Sequence, residues 1–168
     1  RSITMVGMFE LCSQLISLDL SSFNTSNVID TYAMFHKCNS LLNLNISNFD
    51  TSKVIYMNYM FKDCEKLTSL DLSNFDTSKV ERMSIMFQGC INLKELNIRN
   101  FNTSSVKEIY GMFYNCESLA SLDISNFDIS SVSDLRLMFY NCSSLQSLNL
   151  TNFDTKKVVD MSSIFELC

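Results

Sequence analysis

Proline and tryptophan are absent from this 168-residue chain, glycine occurs three times and histidine once. Because Pro- and Gly-rich stretches mark linkers, nothing in the composition divides the chain, and we expect a single domain over residues 1–168. Charge is also scarce, with 13 Lys+Arg against 18 Asp+Glu and a net charge of −5. This acidic balance excludes the basic surface that nucleic-acid binding requires, so we expect no nucleic-acid partner.

Long apolar runs are missing as well. A membrane-spanning helix needs roughly 18 or more consecutive apolar residues, and the sequence contains no such run. We therefore expect no membrane insertion within this segment. The chain begins Arg1-Ser2-Ile3 without an initiator Met or the layout of a signal peptide, which favours a fragment of a longer array.

What the sequence does contain is a strict repeat. The seven cysteines follow one another at intervals of 26 residues, and all thirteen phenylalanines fall into two series with the same step. The cysteines are Cys12, Cys38, Cys64, Cys90, Cys116, Cys142 and Cys168. A fixed period between about 20 and 50 residues is typical of a solenoid, in which each repeat buries its apolar face only by stacking on its neighbours. We expect about six stacked coils.

Each coil is predicted to begin with a short strand. In residues 67–73, Leu70 and Leu72 alternate with polar residues, so these two leucines should point inward while Ser69 and Asp71 point outward. Equivalent strands of successive coils would form a parallel sheet with strands about 4.8 Å apart.

A short helix is predicted to follow the strand. The segment 74–78 is rich in turn-forming residues, and Ser78-x-x-Glu81 has the spacing of a capping box. The apolar residues after it recur at helical intervals and should share one buried face. These residues are Val80, Met83, Met86, Phe87 and Cys90.

The extended unit has the form M-F-x-x-C-x-x-L-x-x-L-x-L-S-x-F-x-T-S-x-V and is complete from Met60 to Val80. It resembles the BspA-like leucine-rich repeats of microbial surface proteins, in the mycoplasma-type domain of unknown function. The resemblance implies an α/β solenoid with a parallel sheet on one face and short helices on the other. It also implies a cell-surface or extracellular location and an adhesive or partner-binding role, because the family shares no catalytic residues and no cofactor.

The cysteine series has three interpretations. A buried ladder of small apolar side chains is favoured, because free cysteine packs as a small hydrophobe. Disulfides between coils are a second possibility, disfavoured by the parallel Cβ directions and the odd number of cysteines. Metal binding is a third, although no C-x-x-C or His-paired spacing supports it. We expect no metal and no cofactor.

A polar ladder is predicted along the outward strand face, with Asp and Asn in strict alternation. Its members are Asp19, Asn45, Asp71, Asn97, Asp123 and Asn149. Alternation doubles the spacing between carboxylates to about 10 Å, roughly one Debye length, which gives a structural reason for the pattern. A calcium ladder is the functional alternative, but Ca²⁺ needs six to eight oxygen ligands. Ladders of Thr and Asn after the strand are expected to cap turns, with ice binding as the alternative for the threonines.

All six tyrosines fall in the predicted helical segment. Tyr110 and Tyr114 are four residues apart, Tyr140 lies one coil beyond Tyr114, and Arg136 is nearby, so these four residues form the best candidate partner-contact patch. The alternative is that the rings are buried between coils. The single histidine, His36, occupies a variable position and is expected to be solvated, so we expect no enzyme.

Two functions follow from these expectations. The first is a non-enzymatic surface scaffold that recognises a protein or glycan on a host or neighbouring cell through multivalent display. The second is a self-assembling fibre or stalk, in which the chain is its own partner and stacks end to end.

Overall fold

A computed structural model describes all 168 residues. Its regular elements are short and are separated by turns. In chain order they are β1 (Ile3–Thr4), β2 (Ser17–Asp19), β3 (Val28–Asp30), β4 (Asn43–Asn45), β5 (Ser69–Asp71), β6 (Glu95–Asn97) and a 3-10 helix at Thr155–Lys157.

Four of the six predicted strands are present, and they pair in parallel as two separate two-stranded sheets rather than as one continuous sheet. The other two are reduced to a single bridge between Ser121 and Ser147. Strand β2 pairs with β4 and β5 pairs with β6, with each residue opposite the one 26 positions later. In β5, Leu70 is buried while Ser69 and Asp71 are exposed, as the alternation predicts. We call the outward side of these strands and of their equivalents in the other repeats the strand face.

A second parallel ladder lies elsewhere on the repeat. Strand β1 pairs with β3, and single bridges continue the pairing from Asp30 to Tyr56, Arg82 and Glu108. This second ladder also joins repeats whose strands at the strand face are not paired, such as those that contain β4 and β5.

The core is a set of side-chain columns that run through the stack. Consecutive phenylalanines of one series stack with ring centroids 5.5–5.7 Å apart and interplanar angles of 12° or less. Offset stacking at this distance adds to the area that the rings bury. The column contains Phe9, Phe35, Phe61, Phe87, Phe113, Phe139 and Phe165.

The predicted helices are wrong, although the predicted buried residues are right. Val80, Met83, Met86, Phe87 and Cys90 are all fully buried. The backbone between them nevertheless forms consecutive turns, and the chain's one helix is the three-residue 3-10 turn near its end. The spacing of three and four residues between apolar side chains thus identified which residues are buried, but it did not identify the conformation of the backbone that carries them.

Hydrogen bonding between repeats explains why no helix forms. Along this segment alternate amides donate to the next repeat, as Phe87 N–H does to the Met112 carbonyl at 2.9 Å. The intervening amides donate three residues back, as Cys90 N–H does to the Phe87 carbonyl at 3.1 Å. An α-helix would direct every amide to the residue four positions earlier and leave the next repeat without donors.

Two left-handed residues in each repeat produce this geometry. Ile85 has φ of 63° and Gly89 of 74°, and the equivalent positions of the other repeats are left-handed as well. The Gly89 position tolerates Lys37, Asp63 and Asn115 at φ between 57° and 60°, so glycine is not obligatory there. A left-handed residue interrupts a right-handed helix, so two per repeat keep the segment in turns.

The threonine and asparagine ladders bond repeats together, and the threonine hydroxyls contact the backbone of the next repeat instead of capping their own turns. The Thr77 hydroxyl donates to the Asn102 carbonyl at 2.9 Å and accepts from the Asn102 amide at 2.8 Å. Asn100 donates from its side-chain amide to the Ser73 carbonyl at 2.7 Å. Thr77 is fully buried, which excludes the ice-binding alternative for the ladder to which it belongs.

The cysteines form a hydrogen-bonded ladder of free thiols. Cys90 Sγ donates to the Phe61 carbonyl of the preceding repeat at 3.2 Å, and every other cysteine after Cys12 makes the equivalent contact. All seven thiols are free. Burial raises the pKa of Cys90 to about 12 and that of Cys38 to about 11. Cys38 and Cys90 therefore stay protonated at neutral pH and serve as donors within the core.

No helix in the structure has the length and apolar character needed to span a membrane.

We expect Thr77→Val to lower the free energy of unfolding by about 1–3 kcal/mol, because valine keeps the shape but leaves the Asn102 amide without its partner. Ile129, which occupies the equivalent position in a later repeat and is fully buried, shows that an apolar branched side chain fits there. The matched control is Thr155→Val at the exposed equivalent, expected within about 0.5 kcal/mol of wild type. Denaturant unfolding measures both, and equal effects would contradict the role assigned to the buried hydroxyl.

We also expect the cysteines to differ in reactivity. Cys168 is exposed and Cys12 is half-buried, whereas the other five are buried. A thiol-specific disulfide reagent should modify Cys168 first and Cys12 next, and should reach the five buried thiols only after denaturation. Mass spectrometry of timed samples identifies the modified residues. Interior cysteines that react as fast as Cys168 in the native protein would contradict the buried ladder.

Candidate functional site

A shallow trough runs along the strand face. It consists of three successive hollows of about 310, 310 and 530 Å³ that share lining residues. It extends from Ser17 to Asp123, across five repeats, and Ser69 lines all three hollows. Its walls are the two outward-facing rows of the strands, and the leucine row between them forms the floor.

The predicted Asp/Asn ladder is one wall of this trough. Every member accepts from the amide two residues ahead, as Asp71 Oδ1 does from Ser73 N–H at 2.9 Å. The other contacts involve Asp19, Asn45, Asn97, Asp123 and Asn149. Each side chain therefore closes its own turn and is held in a fixed position at the mouth of the trough.

The carboxylates of the ladder are stabilised in their charged form. Hydrogen bonds from the Ser73 amide and hydroxyl lower the pKa of Asp71, with a smaller contribution from the Asn97 side chain. Hydrogen bonds from Ser21 lower the pKa of Asp19, and those from Ser125 lower the pKa of Asp123. The ladder thus presents fixed negative charges at neutral pH, each separated from the next by a neutral asparagine.

The predicted tyrosine patch is assembled, but without a helix. Tyr114 and Tyr140 stack with ring centroids 4.8 Å apart and an interplanar angle of 7°. Tyr110 and Tyr114 line a hollow of about 200 Å³ together with Ile85 and Leu137. The three tyrosines are each half-buried. They are thus less exposed than a contact patch would require and less buried than rings packed between coils would be.

Arg136 is exposed, but its guanidinium already has partners. It lies 2.7 Å from Asp134 Oδ2 and 3.5 Å from Asp160 Oδ2. A partner carboxylate would have to compete with these two residues, so Arg136 is less available than its sequence position suggests.

The aromatic area extends beyond the predicted patch. Tyr32 and Tyr59 pack with ring centroids 5.3 Å apart, and a hydrogen bond with Tyr110 raises the pKa of Tyr59. Arg82 lies over the Tyr56 ring at 5.4 Å from its centroid. The contact of Arg82 with Tyr56 joins equivalent positions of adjacent repeats, whereas the tyrosine contacts join different repeat positions and are revealed only by the register of the stack.

The expectation that His36 is solvated is wrong. Its side chain is only 16% exposed and lies between two carboxylates of the neighbouring repeats. Nδ1 is 2.9 Å from Glu10 Oε1, and Nε2 is 3.7 Å from Asp63 Oδ2 without forming a hydrogen bond. The histidine therefore bridges three repeats. The sequence feature that could have predicted this is the presence of acidic residues at nearby positions of the adjacent repeats.

No cluster of three or more His, Cys, Asp or Glu side chains in the structure is placed to hold a metal ion. The calcium alternative for the strand face therefore gains no support, since the aspartates are separated by asparagines along the ladder.

One solved structure shows the same class of fold. The chain is similar to a leucine-rich repeat protein from Eubacterium ventriosum, with a TM-score of 0.58 and 21% sequence identity over 90% of this chain. It spans 37% of the length of that protein. It also has a similarity to a leucine-rich repeat protein from T. pallidum, with a TM-score of 0.34, 17% identity, and coverage of 70% of this chain and 71% of that one.

The Eubacterium structure, together with the small parallel sheets, confirms a leucine-rich-repeat type of fold. No curated protein of known function matches the sequence. The family described as "Mycoplasma protein of unknown function, DUF285" matches twice, over residues 3–97 and 69–168. The two matches together span almost the whole chain, and the protein belongs to this family.

Proposed function

We propose that this chain is a solenoid segment of a non-enzymatic scaffold at a cell surface, and that it acts in adhesion or partner recognition by multivalent display. The partner is a protein or glycan on a host or neighbouring cell. The leucine-rich-repeat type of fold supports an interaction scaffold, because stacked repeats create extended binding surfaces.

The strand-face trough is the observation that carries this proposal. It presents the same groups once per repeat, with an outward Ser, Asn or Glu on one wall and an Asp or Asn on the other, over a leucine floor. A ligand that is itself repetitive can engage several such sites at once. Once one unit of the ligand is bound, the binding of the next unit to the neighbouring site is an intramolecular step. Overall affinity therefore rises although no single contact is strong.

The tyrosine patch is a second contact area within the same proposal. Tyrosine and arginine are enriched at the energetic centres of protein interfaces, and Tyr110, Tyr114 and Tyr140 are each partly accessible. Arg136 contributes less because Asp134 and Asp160 already bind it. The patch fits a protein partner better than the trough does, since the trough lacks aromatic anchors.

The fibre or stalk alternative receives no separate argument from the structure. Leu11, Val159 and Leu167 are among the most exposed large apolar residues, and all belong to the first and last repeats. Leu11 and Leu167 occupy one repeat position, which is buried or half-buried in four of the five interior repeats, so a further repeat would shield them whether it came from the same chain or from another copy. Sedimentation velocity over a range of concentrations separates the two cases.

We expect Ser69→Trp to abolish recognition through the trough, because an indole at this position fills a site that belongs to all three hollows. Beads coated with the protein are incubated with cultured epithelial cells and, separately, with a glycan array. Binding should fall by about tenfold or more when multivalent engagement is interrupted at its centre.

The matched control is Ser131→Trp, which places the same side chain at an exposed serine outside the trough. It should bind like wild type, and both variants should melt within a few degrees of wild type. Retained binding by Ser69→Trp, or wild-type beads that bind no better than uncoated beads, would refute the trough as the recognition surface.

A further inference from the structure

A hollow of about 380 Å³ lies along the second parallel ladder and shares no lining residue with the strand-face trough. Asp30, Tyr56 and Arg82 occupy one position in three successive repeats, and the bridges between them place them side by side. Two residues further along the chain, Tyr32 and Asn58 add a second row to the lining. The register of the stack thus brings an acid, a base, an amide and two aromatic rings to one place.

The side-chain amide of Asn58 lines this hollow without a hydrogen-bond partner in the protein. Asn58 is only 8% exposed. Ser84, at the equivalent position of the next repeat, is fully buried, and its hydroxyl has no partner either. Polar side chains that stack at other positions do bond to the neighbouring repeat, as Thr77 does to Asn102. Because buried polar groups in native proteins are almost always hydrogen-bonded, the Asn58 amide indicates a partner from outside the chain.

The two charged residues of the hollow have opposite signs. Asp30 accepts from the Tyr32 amide through Oδ1 at 2.9 Å, and its second carboxylate oxygen accepts no hydrogen bond. Arg82 Nε lies 3.3 Å from Glu108 Oε1, and the guanidinium lies 5.4 Å from the centroid of the Tyr56 ring. Glu108 therefore balances the charge of Arg82, while the terminal N–H groups of the guanidinium remain able to donate. This balance favours an uncharged ligand over an anion.

Tyr32 gives the hollow an exposed aromatic ring. It is 42% exposed and packs against Tyr59 with ring centroids 5.3 Å apart. The face of an aromatic ring carries partial negative charge, so it attracts C–H groups that are polarised by neighbouring oxygen atoms. A pyranose ring has such C–H groups on its faces and hydroxyls around its edge. Each hydroxyl both donates and accepts, so adjacent hydroxyls can bond to the Asn58 amide and the Asp30 carboxylate together.

We propose that this hollow binds one pyranose unit of a neutral glycan. The sugar ring packs on Tyr32, and its hydroxyls bond to Asn58, Asp30 and Arg82. A volume of about 380 Å³ lies near the lower end of the range for small-ligand sites, about 300–1,000 Å³, which suits a single sugar unit. The site is separate from the trough, so it goes beyond the recognition surface proposed above and is tested independently of it.

The test titrates the isotopically labelled full chain with methyl glycosides and follows its amide signals by NMR, including the side-chain amide of Asn58. The neutral probes are methyl β-D-glucopyranoside, methyl β-D-galactopyranoside and methyl α-D-mannopyranoside. The corresponding uronides, in which a carboxylate replaces the hydroxymethyl group, test the charge argument. We expect at least one neutral glycoside to shift the signals of Asn58 and Tyr32, and its uronide to bind more weakly.

The chain supplies substitutions that its own repeats accept. Ser84 occupies the position of Asn58, and Val6 occupies that of Tyr32, so Asn58→Ser and Tyr32→Val are compatible with the fold. Each variant should bind the glycoside about fivefold or more weakly, because each loses one hydrogen-bonding or one aromatic contact to the sugar.

The matched control is Asn27→Ser, which removes an exposed asparagine outside the hollow at a position where Ser105 is the equivalent. It should bind the glycoside like wild type. Failure of every neutral glycoside to shift the Asn58 signals, tighter binding of the uronides, or equal losses in Asn27→Ser and Asn58→Ser would overturn the proposal.

Two further outcomes would also overturn the proposal. N-acetylprolinamide is a neutral, peptide-like probe, and shifts of Asn58 caused by it but by no glycoside would assign the hollow to a protein partner. If Ser69→Trp abolishes cell or glycan binding while no glycoside shifts the Asn58 signals, the trough is a recognition surface and the second site is absent.

Discussion

The fold depends on backbone amides that donate to the next repeat. In the Met-Phe-x-x-Cys segment every second amide is committed in this way, and the strand ladder adds a parallel pairing at constant register. An inserted residue would misalign every later bond in that repeat, which explains why the period of 26 holds through the whole sequence. A single repeat cannot satisfy the hydrogen bonds of its own backbone. Each repeat therefore folds only as it stacks on its neighbours.

This constraint places each side chain on its equivalents in the neighbouring repeats. For apolar residues the result is favourable, and the phenylalanine column is its clearest example. For cysteine it provides a carbonyl within reach of each thiol. For carboxylates it would be repulsive, and the alternation of Asp71 with Asn97 relieves that repulsion while retaining charge at every second level.

The sequence was sufficient for the period, the strands and the buried positions, because these depend on alternation and spacing alone. The helix prediction failed because residues on one face of a helix and residues on the inner side of a turn ladder can have the same spacing. A signal was nevertheless present, since Gly89, Asn115 and Asn141 occupy one repeat position and both residue types favour left-handed backbone. The surroundings of His36 and the full extent of the tyrosine area could not be predicted, because they depend on which residues of adjacent repeats lie side by side.

The most direct measurement is the detection of scalar couplings across hydrogen bonds by NMR, which identifies the carbonyl that accepts each amide. We expect a coupling from the Phe61 amide nitrogen to the Met86 carbonyl carbon of the next repeat, at the site of a 2.9 Å bond. An α-helical segment would instead couple Phe61 to Met57, four residues earlier. A coupling to Met57 would show that the backbone hydrogen bonds that set the register of the repeats are absent.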